Sequence, residues 1–516
     1  MSIKILWIDD EMDSLKSQIM FLQNKGYEVE SQSNGYDGLE YLKNNHVDVI
    51  LLDESMPGMT GLETLSQIRE AKPMVPVVMV TKNEAENIME EAIGGQITDY
   101  LIKPVNPNQI LLTLKKILDS KTLVSEKTTQ AYQQEFRKLF LALNSTPDYS
   151  EWCDLYKKIV FWELEMQKSD SPEMQDVLNS QKEEANNEFC KFVEKNYTKW
   201  IKAGLNGPLM SHTLMEKHVL PTLEKGKSTF FVLIDNLRYD QWKTIEPIFS
   251  ESFRLLEEDI MCATLPTTTQ YSRNAIFAGL LPADIEKKFP IEWKNDDEEG
   301  GKNMYEEQFF TDLLRRKGLT NLKHSYTKIT NHANGDLLVN NIQNMLHNDL
   351  NLIVYNFVDM LSHARTEMEV LKELASDNVA YRSITKSWIE HSPLYQALKK
   401  IADKGIKLII ATDHGSVQVK SPSKVIGDKQ TTTNIRYKHG RNLQYENKEV
   451  LAFREPNEIG LPKPNFNSTF IFAKNDGYLC YPNNYNHFVN YFKNTFQHGG
   501  VSLEEMLVPV IKMESK

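Results

Sequence analysis

Two sets of residues in this chain have the types and spacing of reactive centres. In the first, Asp9 and Asp10, Asp53, Thr81 and Lys103 each stand immediately after a short apolar run: Ile3–Ile8, Val47–Leu52, Val75–Val80 and Tyr100–Ile102. Three carboxylates, a hydroxyl and an ammonium at the ends of four strands would converge on one rim. Carboxylate oxygens suit Mg²⁺, which takes octahedral oxygen ligands and keeps waters. The lysine can then neutralise a phosphoryl group on the central carboxylate. A strand-end Asp standing alone is most simply a helix cap; the repeated placement at four strand ends is what argues for a site.

In the second set, Asp235 closes the run Thr229–Ile234, Asp359 closes Leu352–Val358, and Asp413-His414-Gly415 follows Lys407–Ala411. His363 comes four residues after Asp359 in DMLSHAR, a spacing that puts both side chains on one helical face. His498 lies in QHGGVSLEE, where Gly499-Gly500 permits close backbone approach. Mixed imidazole and carboxylate donors suit zinc first and manganese second. Between the first two of these runs lies TLPTTTQYSRNAIFAGLLP. Pro266 and the threonine run predict a helix N-terminus, where a hydroxyl such as Thr269 is most simply a cap. The same geometry favours a bound phosphate, and beside two metals a hydroxyl there becomes a nucleophile. Residues 415–441 add Lys420, Lys424, Lys429, Arg436, Lys438 and Arg441 against Asp428 alone. Either this is a solvated loop, or it is a basic lid that recruits an anion, with His439 as a phosphate contact.

The elements that must position these residues follow from periodicity. Residues 1–120 alternate strand and helix patterns five times, which predicts a doubly wound parallel sheet with ligands at the carboxyl ends of its strands. Residues 121–215 lose the strand pattern. Tyr132, Phe136, Leu139, Phe140 and Leu143 form one helical stripe, and further helices are predicted from about Ser150 and from Pro172, making a three-helix connector. Residues 216–516 return to an α/β pattern. There the runs already named, together with Thr469–Ala473 and Leu507–Ile511, are expected to form one large sheet.

Length and composition set the bounds. The chain has 516 residues with 41% hydrophobic and 25% charged residues, the mix of a folded protein with about three domains. Net charge is −12, and residues 1–120 hold 10 basic against 19 acidic residues. An acidic chain with no basic arm and no helix-turn-helix pattern argues against duplex DNA binding. No apolar run approaches a membrane span, and the N-terminus lacks the pattern of a signal peptide. Four scattered cysteines without a CxxC pair fit the reducing cytoplasm.

Residues 1–120 resemble a two-component receiver domain over their whole length. The resemblance makes Asp53 the phosphoacceptor, and Asp9 and Asp10 the Mg²⁺ pair with the Ser55 carbonyl as a further ligand. It makes Thr81, Tyr100 and Lys103 the switch hydroxyl, the switch aromatic and the phosphate-sensing lysine. Two positions depart from the receiver pattern: Thr60, where Asp or Asn usually precedes the loop glycine, and Lys82, where a small residue usually follows the switch hydroxyl. Residues 216–516 resemble the PglZ branch of the alkaline phosphatase superfamily, through Asp235, PTTT with its following Ser-Arg, DMLSHAR, TDHG and HGGVSLEE. That resemblance implies one zinc on Asp359, His363 and His498, another on Asp235, Asp413 and His414, and a nucleophile at Thr269 with Thr268 as the alternative. A threonine nucleophile favours phosphodiesters, a class that includes nucleotides and oligonucleotides, with Arg273 and His439 contacting the substrate.

The domain order resembles that of response regulators linked to type IX secretion. It implies a sensor histidine kinase upstream, a homodimer on phosphorylation, and a sigma factor or secretion component as partner. The expectation is a phosphorylation-controlled di-zinc phosphodiesterase. The alternative is a non-catalytic regulator that uses the metal domain as a protein-binding scaffold.

Overall fold

The computed structural model of the chain describes residues 3–73, 75–82, 97–118, 131–132, 135–143, 145–168, 172–295, 298, 301–368, 377–428, 431–463 and 467–516. They form two compact units, residues 1–131 with 168–171, and residues 132–167 with 172–516.

The first unit is a five-stranded sheet: β1 (Lys4–Ile8), β2 (Glu28–Gln32), β3 (Val49–Asp53), β4 (Val77–Thr81) and β5 (Asp99–Ile102), in the order β2-β1-β3-β4-β5 with every neighbour parallel. Both faces are covered. Ile5, Trp7, Val49, Leu51, Val78 and Val80 pack on one side with Leu22 and Leu114. Leu6, Ile8, Ile50, Leu52, Val77 and Met79 pack on the other with Leu42, Leu65 and Ile68. This is why the central runs read as continuous apolar segments rather than as alternating ones. The register pairs Ile8 with Leu52, Asp53 with Val80, and Thr81 with Ile102, so the reactive residues end level on one rim.

The second unit is built on a six-stranded sheet: β6 (Thr229–Ile234), β7 (Phe253–Cys262), β8 (His324–Ile329), β9 (Leu350–Tyr355), β10 (Lys407–Ala411) and β11 (Leu507–Ser515), in the order β7-β11-β10-β6-β9-β8. The strands β10, β6, β9 and β8 are mutually parallel, and β11 runs antiparallel to β10 and β7. The helices Tyr149–Gln167 and Pro172–Ala203 belong to the same unit and share its core. Trp152 packs edge-on to Phe189 at 5.4 Å, and Tyr156 meets Tyr239 at 5.9 Å. Tyr149 and Lys157 donate to the carbonyls of Ile260 and Glu258, covering the outer edge of β7.

Three expectations change. The run Thr469–Ala473 is not in the large sheet: strand Ser468–Ala473 sits between Tyr437–Arg441 and Val450–Phe453 in a separate antiparallel sheet. The apolar run Leu352–Val358 is strand only as far as Tyr355, and a helix takes over at Phe357–Glu367, so Asp359 lies in a first helical turn. Strands β7 and β8 were not anticipated, because an edge strand reading FRLLEEDIMC has no clean alternation.

Candidate functional site

In the first unit, Lys103 Nζ lies 2.8 Å from Asp9 Oδ2 and 3.0 Å from Asp53 Oδ2. Carboxylate oxygens of Asp9, Asp10 and Asp53 lie within 4.8 Å of one another, a group able to hold a cation. Burial lifts the Asp53 carboxyl to a pKa of about 6, although Lys103 pulls the other way. Burial opposes the charge on Lys103, but Asp9 and Asp53 outweigh it and raise its pKa. Thr81 is buried beside this group, and Tyr100 is exposed. Ser55 follows Glu54, which its hydroxyl bonds at 2.6 Å. Both departures from the receiver pattern have local partners. Thr60 forms a capping box with Glu63 at the head of helix Gly61–Ala71. Lys82 pairs with Glu11 at 2.8 Å. Gly61 is needed where it stands, since a Cβ there would meet the Asp53 carbonyl oxygen at 2.3 Å.

In the second unit the ends of β6, β9 and β10 bring Asp235, Asp359, Asp413 and His414 together, and the turn after Phe496–Gln497 adds His498. Donor atoms of Asp235, Asp413 and His414 lie within 4.8 Å of one another, as do those of Asp359, His414 and His498. The rings of His414 and His498 stack at 4.2 Å. His414 Nδ1 faces the Gly415 carbonyl oxygen at 3.1 Å, and His498 Nδ1 faces that of Thr267 at 3.2 Å, which leaves both Nε2 atoms towards the carboxylates. His363 falls in helix Phe357–Glu367, but its side chain lies outside the described residues, as does Lys429.

Thr269 opens a π-helical turn, Thr269–Arg273, and does not cap it. Its Oγ1 stands 3.2 Å from His414 Nε2 and 3.5 Å from Asp235 Oδ1. Asn303 fixes the Thr269 carbonyl at 2.9 Å, and Ser272 donates to the Asp413 carbonyl. Thr268 Oγ1 is buried and makes no hydrogen bond among the described residues.

Arg273 is fully buried. Its guanidinium bridges the carboxylates, pairing with Asp235 Oδ2 and bonding Asp413 Oδ2 at 3.0 Å, and it reaches Asn356 Oδ1 at 3.2 Å. The expected substrate contact is thus part of the carboxylate cluster. Burial and the neighbouring charges of Asp413 and Asp359 push the Asp235 carboxyl well up, while Arg273 holds Asp413 down against its burial. Two buried carboxylates and the partly buried Asp359 against one guanidinium leave negative charge that favours a further cation. The donor set therefore fits divalent metal ions.

Sequence reasoning passed over Asn236, whose φ of 62° turns its backbone N–H to Asp413 and its side chain to Asp359, both at 3.3 Å. An Asn directly after a strand-end Asp was the available signal, since Asn tolerates the left-handed region.

The basic stretch divides: Lys420, Lys424 and Arg441 are exposed, but Arg436 and Lys438 turn inward. Arg436 is buried in a bidentate pair with Glu505, at 3.0 and 2.6 Å. Lys438 is buried over the Tyr481 ring at 4.1 Å, and burial lowers its pKa to about 7. His439 stacks on Phe470 at 4.2 Å within the small sheet.

The model of the BREX system PglZ alkaline phosphatase-like domain matches residues 214–513, more than half of the chain. The chain belongs to the PglZ alkaline phosphatase-like family. Ahead of the PglZ domain, the response regulator receiver domain matches residues 5–115 and the PorX response regulator linker domain matches 122–201, so the architecture is PorX-like. The receiver implies a phosphodonor such as a histidine kinase.

Curated relatives match part of the chain. Regulatory protein VanRc of Enterococcus gallinarum is 31% identical over 165 residues, which is 31% of this chain and 68% of the relative. Transcriptional regulatory protein SrrA of Staphylococcus aureus is 32% identical over 118 residues, which is 23% of this chain and 48% of the relative. Among solved structures, a CheY-like receiver domain protein from Methanospirillum hungatei is 30% identical, covering 23% of this chain and 96% of its own, with a TM-score of 0.23. CheY4 of Vibrio cholerae is 32% identical, covering 23% and 100%, with a TM-score of 0.22. Among the described residues, no helix is long and apolar enough to cross a membrane.

Proposed function

We propose that the protein is a response regulator in which phosphorylation of Asp53 controls a zinc-dependent phosphodiesterase in the PglZ domain. One observation carries the catalytic half: the Thr269 hydroxyl faces His414 and Asp235 instead of capping its own helix. Two zinc ions, on Asp359, His363 and His498 and on Asp235, Asp413 and His414, would supply Lewis-acid stabilisation of the phosphoryl oxygens.

The chain's own part is positional and nucleophilic. The turn Thr269–Arg273 presents Oγ1 to the phosphorus. Attack by Oγ1 forms a phosphothreonine as one ester oxygen leaves and takes up a proton. Water then cleaves the phosphothreonine and restores the hydroxyl. Arg273 would hold Asp235 and Asp413 in place, and His439 is the proposed contact for the remaining phosphate charge.

In the receiver, Asp9, Asp10 and the Ser55 carbonyl would hold Mg²⁺ beside Asp53, and Thr81, Tyr100 and Lys103 would report its phosphorylation. A sensor histidine kinase in the cytoplasm, a phosphorylation-dependent homodimer and a sigma factor or secretion component of the type IX system complete the reading.

Thr269→Ala tests it. As a nucleophile, its loss lowers turnover of a chromogenic phosphodiester by about 100-fold or more with zinc content and melting temperature kept. Near-normal turnover in that variant would remove Thr269 from the mechanism.

A further inference from the structure

Away from the carboxylate cluster, a third mixed donor group stands on the outer strand of the large sheet. Glu257 and Asp259 are two residues apart on β7 and so share one face of it. Across from them, the short helical turn Met215–Val219 carries His218. Donor atoms of His218, Glu257 and Asp259 lie within 4.8 Å of one another. The histidine is largely buried, while the carboxylates are open to solvent on one side, with side-chain exposures of 47% for Glu257 and 43% for Asp259.

The spacing is informative. His218 Nε2 stands 3.4 Å from Asp259 Oδ2. That is longer than an ordinary N–H···O bond of about 2.7–3.2 Å. It also exceeds the ammonium–carboxylate contacts nearby, such as Lys512 to Glu257 at 2.7 Å. Two ligands of one tetrahedral zinc, each bonded at about 2.0–2.1 Å, stand about 3.3 Å apart. Similar long imidazole–carboxylate separations recur in the PglZ cluster, 3.5 Å for His498 to Asp359 and 3.7 Å for His414 to Asp235.

The side chains are held in place. The Ile260 N–H donates to Asp259 Oδ1 at 2.7 Å, leaving Oδ2 towards the imidazole. Lys512 holds only Oε2 of Glu257. His218 Nε2 is the ring nitrogen turned to Asp259, and among the described residues its buried Nδ1 has no hydrogen-bond partner.

We propose that His218, Glu257 and Asp259 form a further divalent-cation site of zinc type, which staples the segment Met215–Val219 to the outer strand of the PglZ sheet. One imidazole and two carboxylates leave the remaining position to water, so the ion is exchangeable from the solvent side. The site is independent of the catalytic reading.

The test uses the full-length chain carrying Asp359→Ala and Asp413→Ala, stripped with chelator, reloaded with excess Zn²⁺ and dialysed. The expected content is ~1 zinc per chain, and zinc raises the melting temperature. Adding His218→Ala removes both the zinc and the shift. Glu257→Gln with Asp259→Asn does the same while the far-ultraviolet circular dichroism stays unchanged. The site is overturned if these additions leave zinc content as it was, or if the Asp359→Ala/Asp413→Ala chain holds none. Equal zinc in the wild type and in that chain, lost with His218→Ala, would support the site and sink the two-metal catalytic centre instead.

Discussion

Asp53 is a buried carboxyl at the proposed phosphorylation position. Burial lifts its carboxyl to about 6, against about 3.9 in an unfolded chain. A carboxyl raised on folding stabilises the fold through its protonated form. That contribution is complete below pH ~4 and is lost as pH rises to ~6. At neutral pH the metal-free receiver therefore carries a penalty of up to about 3 kcal/mol, which Mg²⁺ would relieve. Asp53→Asn in chelator should raise the receiver's melting transition at pH 7 and flatten its dependence between pH 4 and 6. An unchanged slope would mean that Lys103, 3.0 Å away, already compensates the charge. The Glu11–Lys82 pair beside this site is about half exposed and is worth little to stability.

At the scale of elements, the turn that carries His498 is held from behind. Arg436 and Glu505 form a fully buried bidentate pair, and Glu505 also accepts from the Gly500 backbone and from Ser502. Gly500 has no room for a side chain: a Cβ would lie 2.6 Å from the Ala473 carbonyl oxygen and 2.6 Å from the Arg436 guanidinium. Breaking a buried pair by removing one partner strands the other charge and costs about 3–5 kcal/mol. Arg436→Ala should thus lower the melting temperature of the second unit sharply and reduce zinc retention, although it touches no proposed ligand. Lys424→Ala, at an exposed position of the same basic stretch, should change neither. Calorimetry of the two variants checks both. Equal behaviour would return Arg436 to the role of a surface cation.

Across the whole molecule, the receiver sheet and the large sheet each place their acidic residues at the carboxyl ends of parallel strands, and each belongs to a separate compact unit. The connector helices share a core with the PglZ domain. A signal from Asp53 therefore has to reach a unit that already includes the linker. Dimer formation through the receiver is the simplest such signal. With Mg²⁺, acetyl phosphate or beryllofluoride should shift the chain from monomer towards dimer, and Asp53→Ala should not respond. Light scattering that reads one mass in both states would exclude this route.

The strand-end carboxylates, the threonine run and the order of the segments were legible in the linear sequence. Parallel α/β sheets place loops at a fixed rim, so a residue's position after an apolar run already locates it. What only the tertiary structure decided was where charge is spent. Arg436 and Arg273 read alike in sequence as cations awaiting an anion. Folding buries one against Glu505 and the other between Asp235 and Asp413, partners 69 and up to 140 residues away. The pairing of His218 with β7 was hidden for the same reason, because β7 is a polar edge strand whose neighbours are set by sheet order and not by its own pattern. Local periodicity records which face a residue needs to bury. Which distant charge meets it there depends on packing that no short window of sequence contains.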